Sequence, residues 1–304
     1  MSTLAVVIPL YNHAAYLRST LASVYAQTLA PQRVIVIDDG SQDDSFALAQ
    51  SLARPGTEVL RQENRGAHHT LNRGVEWAAG ADFVAILNSD DVWEPERLAR
   101  CVAVLEKNRE AQVVVTGLHL IGGDGTNLPA THPKERRNRA VWERVLAEDN
   151  PLLSLAVSNF AKTTSNVVAR REFLVAHPLA DLRYVHDYRF FLEAACRGVL
   201  LVVPEDLLGY RTHEGNTIKA DGRRPVVSEV VQMHLDWIGS LERELMESES
   251  LRGRLRLYVQ RLMGNHTDFR GEIFLQVLAG AVAQQPNLFR VNPLGEMAEF
   301  TNKS

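Results

Sequence analysis

Leu4-Ala5-Val6-Val7-Ile8-Pro9 is a continuous apolar run that gives way at once to Tyr11 and Asn12. Lacking polar alternation, it suits a strand buried on both faces of a parallel sheet. Asn12 is placed to cap the next segment, where Leu17, Leu21 and Val24 recur at helical spacing. Arg33-Val34-Ile35-Val36-Ile37-Asp38 then supplies a second β-branched run. The unit is βαβ.

The alternation continues outward. A helix is expected from near Asp43 and a strand over Glu58 to Arg61, followed by a helix carrying Leu71, Val75 and Ala78 that Gly80 ends. Phe83 to Leu87 is the next strand. Pro95 sits where a first helical residue belongs, Leu98, Val102 and Leu105 mark a buried face, and Val113 to Thr116 returns to strand. This alternation over about 115 residues predicts an α/β fold with a doubly wound, mostly parallel central sheet flanked by helices. Beyond Leu120, the glycines at 122, 123 and 125 and the charged run Lys134 to Arg139 read as a variable surface loop. Order returns with Asn166 to Ala169, a helix from Asp187 to Arg197 and the run Val199 to Val203, and from Val226 the pattern is helical and charged.

With 304 residues and 45% apolar content, the chain can bury a sizeable core. A net charge of -4 gives no ground for nucleic-acid binding. The two cysteines, Cys101 and Cys196, lie in helical patterns, which fits a reducing cytoplasm better than a disulfide framework. No basic leader or cleavage site is apparent, and no run approaches the ~20 apolar residues of a membrane span.

In open α/β sheets, ligands bind beyond the carboxyl ends of the strands. Here those ends carry Pro9, Tyr11 and Asn12, then Asp38, Asp39, Gly40 and Ser41, then Asn88, Ser89, Asp90 and Asp91. A ring such as Tyr11 can stack on a base, and Asp39 can accept a hydrogen bond from base or ribose. Two carboxylates facing a diphosphate need a hard divalent cation between them, so Asp90 and Asp91 imply Mn²⁺ or Mg²⁺. Each motif alone reads equally as a turn, a rim aromatic or a helix start. Their recurrence at three successive strand ends favours a site.

These residues resemble the family 2 glycosyltransferases, inverting enzymes of the GT-A fold. The matching stretches are Val6 to Asn12, the helix through Ser23 and Gln27, Val36 to Ser41, Glu63 to Gly66, Asn72 to Gly74 and Leu87 to Asp91. The resemblance covers roughly residues 3 to 218, and motifs in register are more specific than any one alone. It implies a nucleotide-sugar donor, UDP- or dTDP-linked, and a glycan or lipid-linked acceptor in cell-surface polysaccharide synthesis. It implies base stacking by Tyr11, base reading by Asp39, support from Pro9 and Asn12, and donor contacts from Gly66 and Asn72. Asp90 would face ribose and metal, and Asp91 would be the main metal ligand. Two positions depart from the family pattern: Asn88 where an acidic residue is usual, and Leu71 where an arginine is usual, with Arg73 its nearest substitute.

Inverting transfer needs one general base. The segment Tyr184 to Phe191 resembles the family's acidic motif, making Asp187 the base, with His186 in place of the usual glutamate. An N-cap role is the structural alternative for Asp187. Tyr210-Arg211-Thr212-His213 resembles a segment whose histidine completes the metal site, and Thr163 to Asn166 are expected on the acceptor side. The expected organisation is a catalytic domain over 1–220, with a nucleotide-sugar half 1–120 and an acceptor half 121–220, followed by a helical extension over 221–304. In that extension Leu251, Leu255 and Leu262 share one face amid arginines. Such a helix can pack on the catalytic domain, form a homodimer contact or lie peripherally on the inner face of an anionic membrane. A silent scaffold of the same fold is the alternative, against which Tyr11, Asp39, Asp91 and Asp187 argue. A nicotinamide enzyme is disfavoured because Pro9 to His13 stand where a glycine-rich turn is required.

Overall fold

A computed structural model of the chain describes residues 2–216 and 223–264. The chain divides into two compact units, Met1–Gly222 and Arg223–Ser304. In the first unit the strands are β1 (Leu4–Leu10), β2 (Arg33–Asp38), β3 (Thr57–Arg61), β4 (Phe83–Ile86), β5 (Val92–Trp93), β6 (Val113–Ile121), β7 (Val168–Arg170) and β8 (Leu200–Arg211). They form one sheet in the order β3-β2-β1-β4-β7-β6-β8-β5. Its helices are α1 (Ala14–Tyr25), α2 (Ser45–Leu52), α3 (Ala67–Trp77), α4 (Arg97–Lys107), α5 (Pro133–Glu148), α6 (Pro151–Val157), α7 (Arg171–Ala176) and α8 (His186–Cys196).

The core strands follow from composition. Residues Ala5 to Ile8 and Val84 to Ile86 are wholly buried, as expected of strands covered on both faces. Pairs β3-β2, β2-β1 and β1-β4 are parallel, and β6 runs parallel to β8. The short β7 is antiparallel to both β4 and β6, and β5 is antiparallel to β8. The sheet is thus mixed, with β7 wedged between the two parallel groups. Pairing of β1 with β4 stops at Val7 opposite Ile86, while pairing with β2 continues through Pro9 to Leu10. Pro9, which has no N–H to donate, therefore lies past the β4 ladder, where the two strand ends diverge and leave a crevice. Helix α3 closes against β1 because residue 74 is glycine; a Cβ there would meet Val7 Cγ1 at 2.2 Å.

Three expectations are corrected. Asn12 does not cap α1: His13 occupies that position, while Asn12 adopts φ 51° and accepts the Gln42 N–H at 2.8 Å. Pro95 precedes α4, which begins at Arg97, and its carbonyl accepts the Thr28 N–H at 2.9 Å. The expected loop after Leu120 contains α5, started by His132 and Pro133, and α6, capped by Asn150. The buried face of α5 is Glu135, Asn138, Trp142 and Val145, half polar, so no apolar stripe announces it. Its polar members satisfy backbone groups of β6: Glu135 Oε2 accepts the Leu120 N–H at 3.0 Å, and Asn138 Nδ2 donates to the Leu118 carbonyl at 2.8 Å.

The second unit holds α9 (Arg223–Ser240), α10 (Glu242–Glu247) and α11 (Glu249–Gly264). On α11, Leu251, Tyr258 and Leu262 are buried; Tyr258 meets Trp237 edge-on at 5.5 Å and hydrogen-bonds His234 at 2.7 Å. That apolar face is used in packing. Among the described residues, no helix is long and apolar enough to cross a membrane.

Trp142 is 5% exposed and packs edge-on against Phe160 at 5.5 Å. Trp142→Ala is expected to lower stability by about 3–5 kcal/mol in denaturant unfolding. A loss below about 0.5 kcal/mol, the range of surface substitutions, would contradict the packed helix.

Candidate active site

The crevice between the ends of β1 and β4 collects the predicted residues. Tyr11 follows β1 and is 43% exposed, a large hydrophobic residue open to solvent. Asp39 follows β2 and is buried: its Oδ1 accepts from Gln62 Nε2 at 2.7 Å and the Arg65 N–H at 2.9 Å, and its Oδ2 accepts the Gly66 N–H at 2.9 Å. About four acceptor sites exist on a carboxylate, so one edge is left after this loop is anchored. Gly66, at φ 90°, turns the chain into α3. Arg73 Nη1 donates to Gln62 Oε1 at 2.7 Å, one side chain removed from Asp39, while Leu71 is core. Asn72 clamps Leu179, donating to its carbonyl at 2.8 Å and accepting its N–H at 2.9 Å, and so ties α3 to the chain ahead of α8.

The acidic turn splits its two carboxylates between different environments. Asp90 Oδ2 lies 3.0 Å from His213 Nε2. Burial pushes the Asp90 carboxyl up, but the His213 hydrogen bond and the charges of His13 and His213 outweigh it and hold the group below its ordinary range. Asp91 is wholly buried, its Oδ2 accepting from Ser165 Oγ at 2.6 Å and its Oδ1 from the Arg211 N–H at 2.8 Å. Burial, then the neighbouring Asp90 charge, raise Asp91 well above the usual carboxylate range. The two carboxyls therefore sit in different electrical settings, Asp90 toward the histidines and Asp91 toward Ser165 and the Arg211 N–H.

Among the described residues, His13, Asp90 and His213 bring ligand-competent atoms within 4.8 Å of one another. Here the geometry departs from the expectation for Asp91, whose oxygens are turned inward onto Ser165 and Arg211. His13 joins instead. Ser89 Oγ hydrogen-bonds His13 Nδ1 at 2.8 Å and fixes its ring, the arrangement that typically orients a ligating histidine. Burial lowers the His13 pKa, against the pull of Asp90, which favours the unprotonated ring that ligation requires. Two imidazoles and one carboxylate fit a divalent cation such as Mn²⁺ better than the all-oxygen shell that Mg²⁺ prefers.

Arg211 holds these parts together, and nothing in Tyr210-Arg211-Thr212-His213 marks it as buried. Its Nε donates to the Asp90 carbonyl, Nη1 to the Gly122 and Gly123 carbonyls at 3.2 Å and Nη2 to Ser19 Oγ at 3.1 Å, with the guanidinium 5.0 Å from the Tyr16 ring centre. Asn88 is explained by the loop beside it. Its Nδ2 donates to Thr163 Oγ1 and its Oδ1 accepts from Thr164 Oγ1, both at 2.9 Å, a pairing that uses both ends of an amide. Thr163, Thr164, Ser165 and Asn166 are all buried, so they brace the acidic turn instead of lining an acceptor surface.

Asp187 lies in the first turn of α8 and is not its N-cap, which is Val185. It is buried; Oδ1 accepts the Tyr188 N–H at 2.6 Å and Oδ2 accepts from Asn159 Nδ2 at 3.3 Å. Burial, then the fields of Asp91, Asp90 and Asp187, raise the Tyr210 phenol. His186 donates from Nδ1 to the Leu182 carbonyl at 3.1 Å, and burial lowers its pKa to about 4, so it is neutral beside Asp187.

The glycosyl transferase family 2 model matches residues 5–175. An uncharacterised glycosyltransferase of a Nostoc species is 28% identical over 221 residues, 70% of this chain and 66% of its own length. A Rickettsia prowazekii counterpart is 27% identical over 216 residues, 65% of its length, so the chain spans just under two thirds of these relatives. The succinoglycan biosynthesis protein ExoW of Rhizobium meliloti is 46% identical over 104 residues, 32% of each chain. Staphylococcus aureus TarS, solved with UDP-GlcNAc, shares the GT-A fold at TM-score 0.58 and 15% identity, covering 96% of this chain and 76% of TarS. Glucosyl-3-phosphoglycerate synthase of Mycobacterium tuberculosis, solved with Mn²⁺, UDP and glucosyl-3-phosphoglycerate, aligns at TM-score 0.55 and 20% identity over 76% of this chain and 80% of its own. With its model spanning more than half of the sequence and its fold reproduced, the chain belongs to glycosyl transferase family 2.

Proposed function

We propose that the first unit transfers a sugar, with inversion, from a UDP- or dTDP-linked donor to a hydroxyl of a glycan or lipid-linked acceptor in cell-surface polysaccharide synthesis. The observation that carries this reading is the convergence of His13, Asp90 and His213 at the crevice where Tyr11 is exposed. The ligands of TarS and of glucosyl-3-phosphoglycerate synthase support a uridine nucleotide and Mn²⁺, and the name of ExoW supports a polysaccharide product. A lipid-linked acceptor would be met from the cytoplasm at the inner face of the membrane.

Tyr11 stacks on the base, and the open edge of Asp39 accepts from base or ribose. Pro9 and Asn12 shape the strand end, Gly66 closes the wall behind Asp39, and Asn72 acts through Leu179. Asp90, His213 and His13 hold the cation. When bound, it offsets the charge of the departing nucleoside diphosphate. Asp187 takes the proton of the acceptor hydroxyl, whose oxygen bonds to the anomeric carbon on the face opposite the diphosphate. The bond from that carbon to the diphosphate oxygen breaks and the configuration inverts.

The division between the two acidic neighbours is testable by calorimetry with UDP and Mn²⁺. Asp90→Asn is expected to abolish metal-dependent UDP binding, whereas Asp91→Asn, which preserves the acceptor for the Arg211 N–H, is expected to retain it within about tenfold. The reverse ranking would return the ligand role to Asp91. Ser89→Ala removes the partner that orients His13 and should weaken Mn²⁺ affinity by roughly 10–100-fold. An unchanged affinity would remove His13 from the site.

Asp187→Asn is expected to leave UDP affinity intact and slow transfer by about 10²–10⁴-fold, measured as UDP release with an acceptor panel. Full activity in this variant would exclude Asp187 as the base.

A further inference from the structure

Helix α1 presents one face to the acidic turn. His13, its N-cap, meets Ser89 Oγ through Nδ1 at 2.8 Å. Two turns on, Thr20 Oγ1 lies 2.8 Å from the Asp91 carbonyl and 3.0 Å from the Ser89 carbonyl. Tyr16 stands on the same face between these two anchors, three residues after one and four before the other. It is half-buried, and its hydroxyl has no hydrogen bond among the described residues, so its contacts are those of the ring.

Three groups meet that ring. The His213 imidazole lies 4.7 Å away between ring centres, tilted by 40°, and the His13 imidazole stands edge-on at 5.7 Å. The Arg211 guanidinium carbon is 5.0 Å from the same ring centre. The two imidazoles also meet each other edge-on, at 5.8 Å and 88°. A second tie holds Arg211 to the helix: Nη2 donates to Ser19 Oγ at 3.1 Å, and Ser19 Oγ donates to the Tyr16 carbonyl at 2.7 Å. Through Tyr16 the start of α1 thus packs against the chain at the end of β8.

We propose that Tyr16 is a positioning residue of the cation centre, its ring setting the separation and orientation of His13 and His213. The proposal rests on those two imidazoles being ligands. They come from segments far apart in the chain, so their spacing depends on what packs between the segments and not on local geometry. A hydrogen bond to one ring nitrogen leaves an imidazole free to swing about that bond, and an aromatic neighbour packed on the ring removes the freedom. The π face of Tyr16 also accommodates the Arg211 guanidinium, a permanent positive charge near a centre that would hold a second one.

Mn²⁺ titrated into the full-length protein without nucleotide, with the unbound ion read by electron paramagnetic resonance, tests this apart from activity. Tyr16→Phe keeps the ring and is expected to match the wild type. Tyr16→Leu keeps helix propensity but no aromatic face, and is expected to weaken Mn²⁺ binding by roughly 10-fold or more, the scale of losing a group that orients a ligand. Wild-type affinity in Tyr16→Leu would overturn the proposal. An equal loss in Tyr16→Phe would do the same, because it would assign the effect to the hydroxyl. The metal-free melting temperature of Tyr16→Leu separates lost affinity from lost fold, and fluorotyrosine NMR of the wild type decides without that variant. Substoichiometric Mn²⁺ is expected to broaden the Tyr16 resonance, assigned by its absence in Tyr16→Phe, and a resonance that stays sharp while Mn²⁺ binds would overturn the proposal. If the wild type bound no Mn²⁺, the cation centre and the proposal would fall together, whereas binding that Tyr16→Leu leaves unchanged removes Tyr16 alone.

Discussion

Two neighbouring carboxylates, Asp90 and Asp91, occupy one buried turn, where their mutual repulsion and lost hydration would be prohibitive without compensation. Compensation comes from three directions. Arg211 donates its backbone N–H to Asp91 and its guanidinium to the Asp90 carbonyl, Ser165 donates to Asp91, and His213 meets Asp90. Beneath them Arg97, wholly buried, contributes a positive charge felt at Asp91 while it donates to Thr116 Oγ1 and Asn166 Oδ1. Satisfying this turn therefore fixes where β8 ends, where the loop before β7 runs and how α4 sits. The geometry of the crevice is a by-product of neutralising two acids.

The same accounting explains the neutral residues that replace expected charges. An acid at position 88 would add a third negative group to the turn, whereas the Asn88 amide pairs with Thr163 and Thr164 without charge. A glutamate at position 186 would carry charge in the buried setting that keeps His186 neutral. Both substitutions lower the electrostatic load around Asp90, Asp91 and Asp187.

Strands β1 and β4 were legible because a strand covered on both faces must be apolar throughout, and Leu4 to Leu10 and Phe83 to Ile86 are. Tyr11, Asp39 and Asp90 were legible as strand-end residues. Helix α5 was hidden because Glu135 and Asn138 on its buried side serve the backbone of β6, so polarity there signals burial and not exposure. His13 and Arg211 were hidden for a related reason: each reads as a surface residue until the fold brings together chain positions far apart in sequence. Asp90 and Asp91 are neighbours of one residue type, and only the direction each side chain takes, one onto His213 and one onto Ser165, separates them.

Strand β7 has only three residues, yet it joins β4 to β6 and pairs antiparallel with both. During synthesis, the apolar edge of β4 must wait for roughly 80 more residues before β7 can cover it, a delay of several seconds at translation speed. Throughout that interval the nascent chain presents an unpaired hydrophobic edge, the feature most prone to adopt a neighbour's strand. The wedge that completes the sheet therefore also sets its period of greatest vulnerability, and chaperone dependence in this protein should centre on the chain between Ile86 and Arg170.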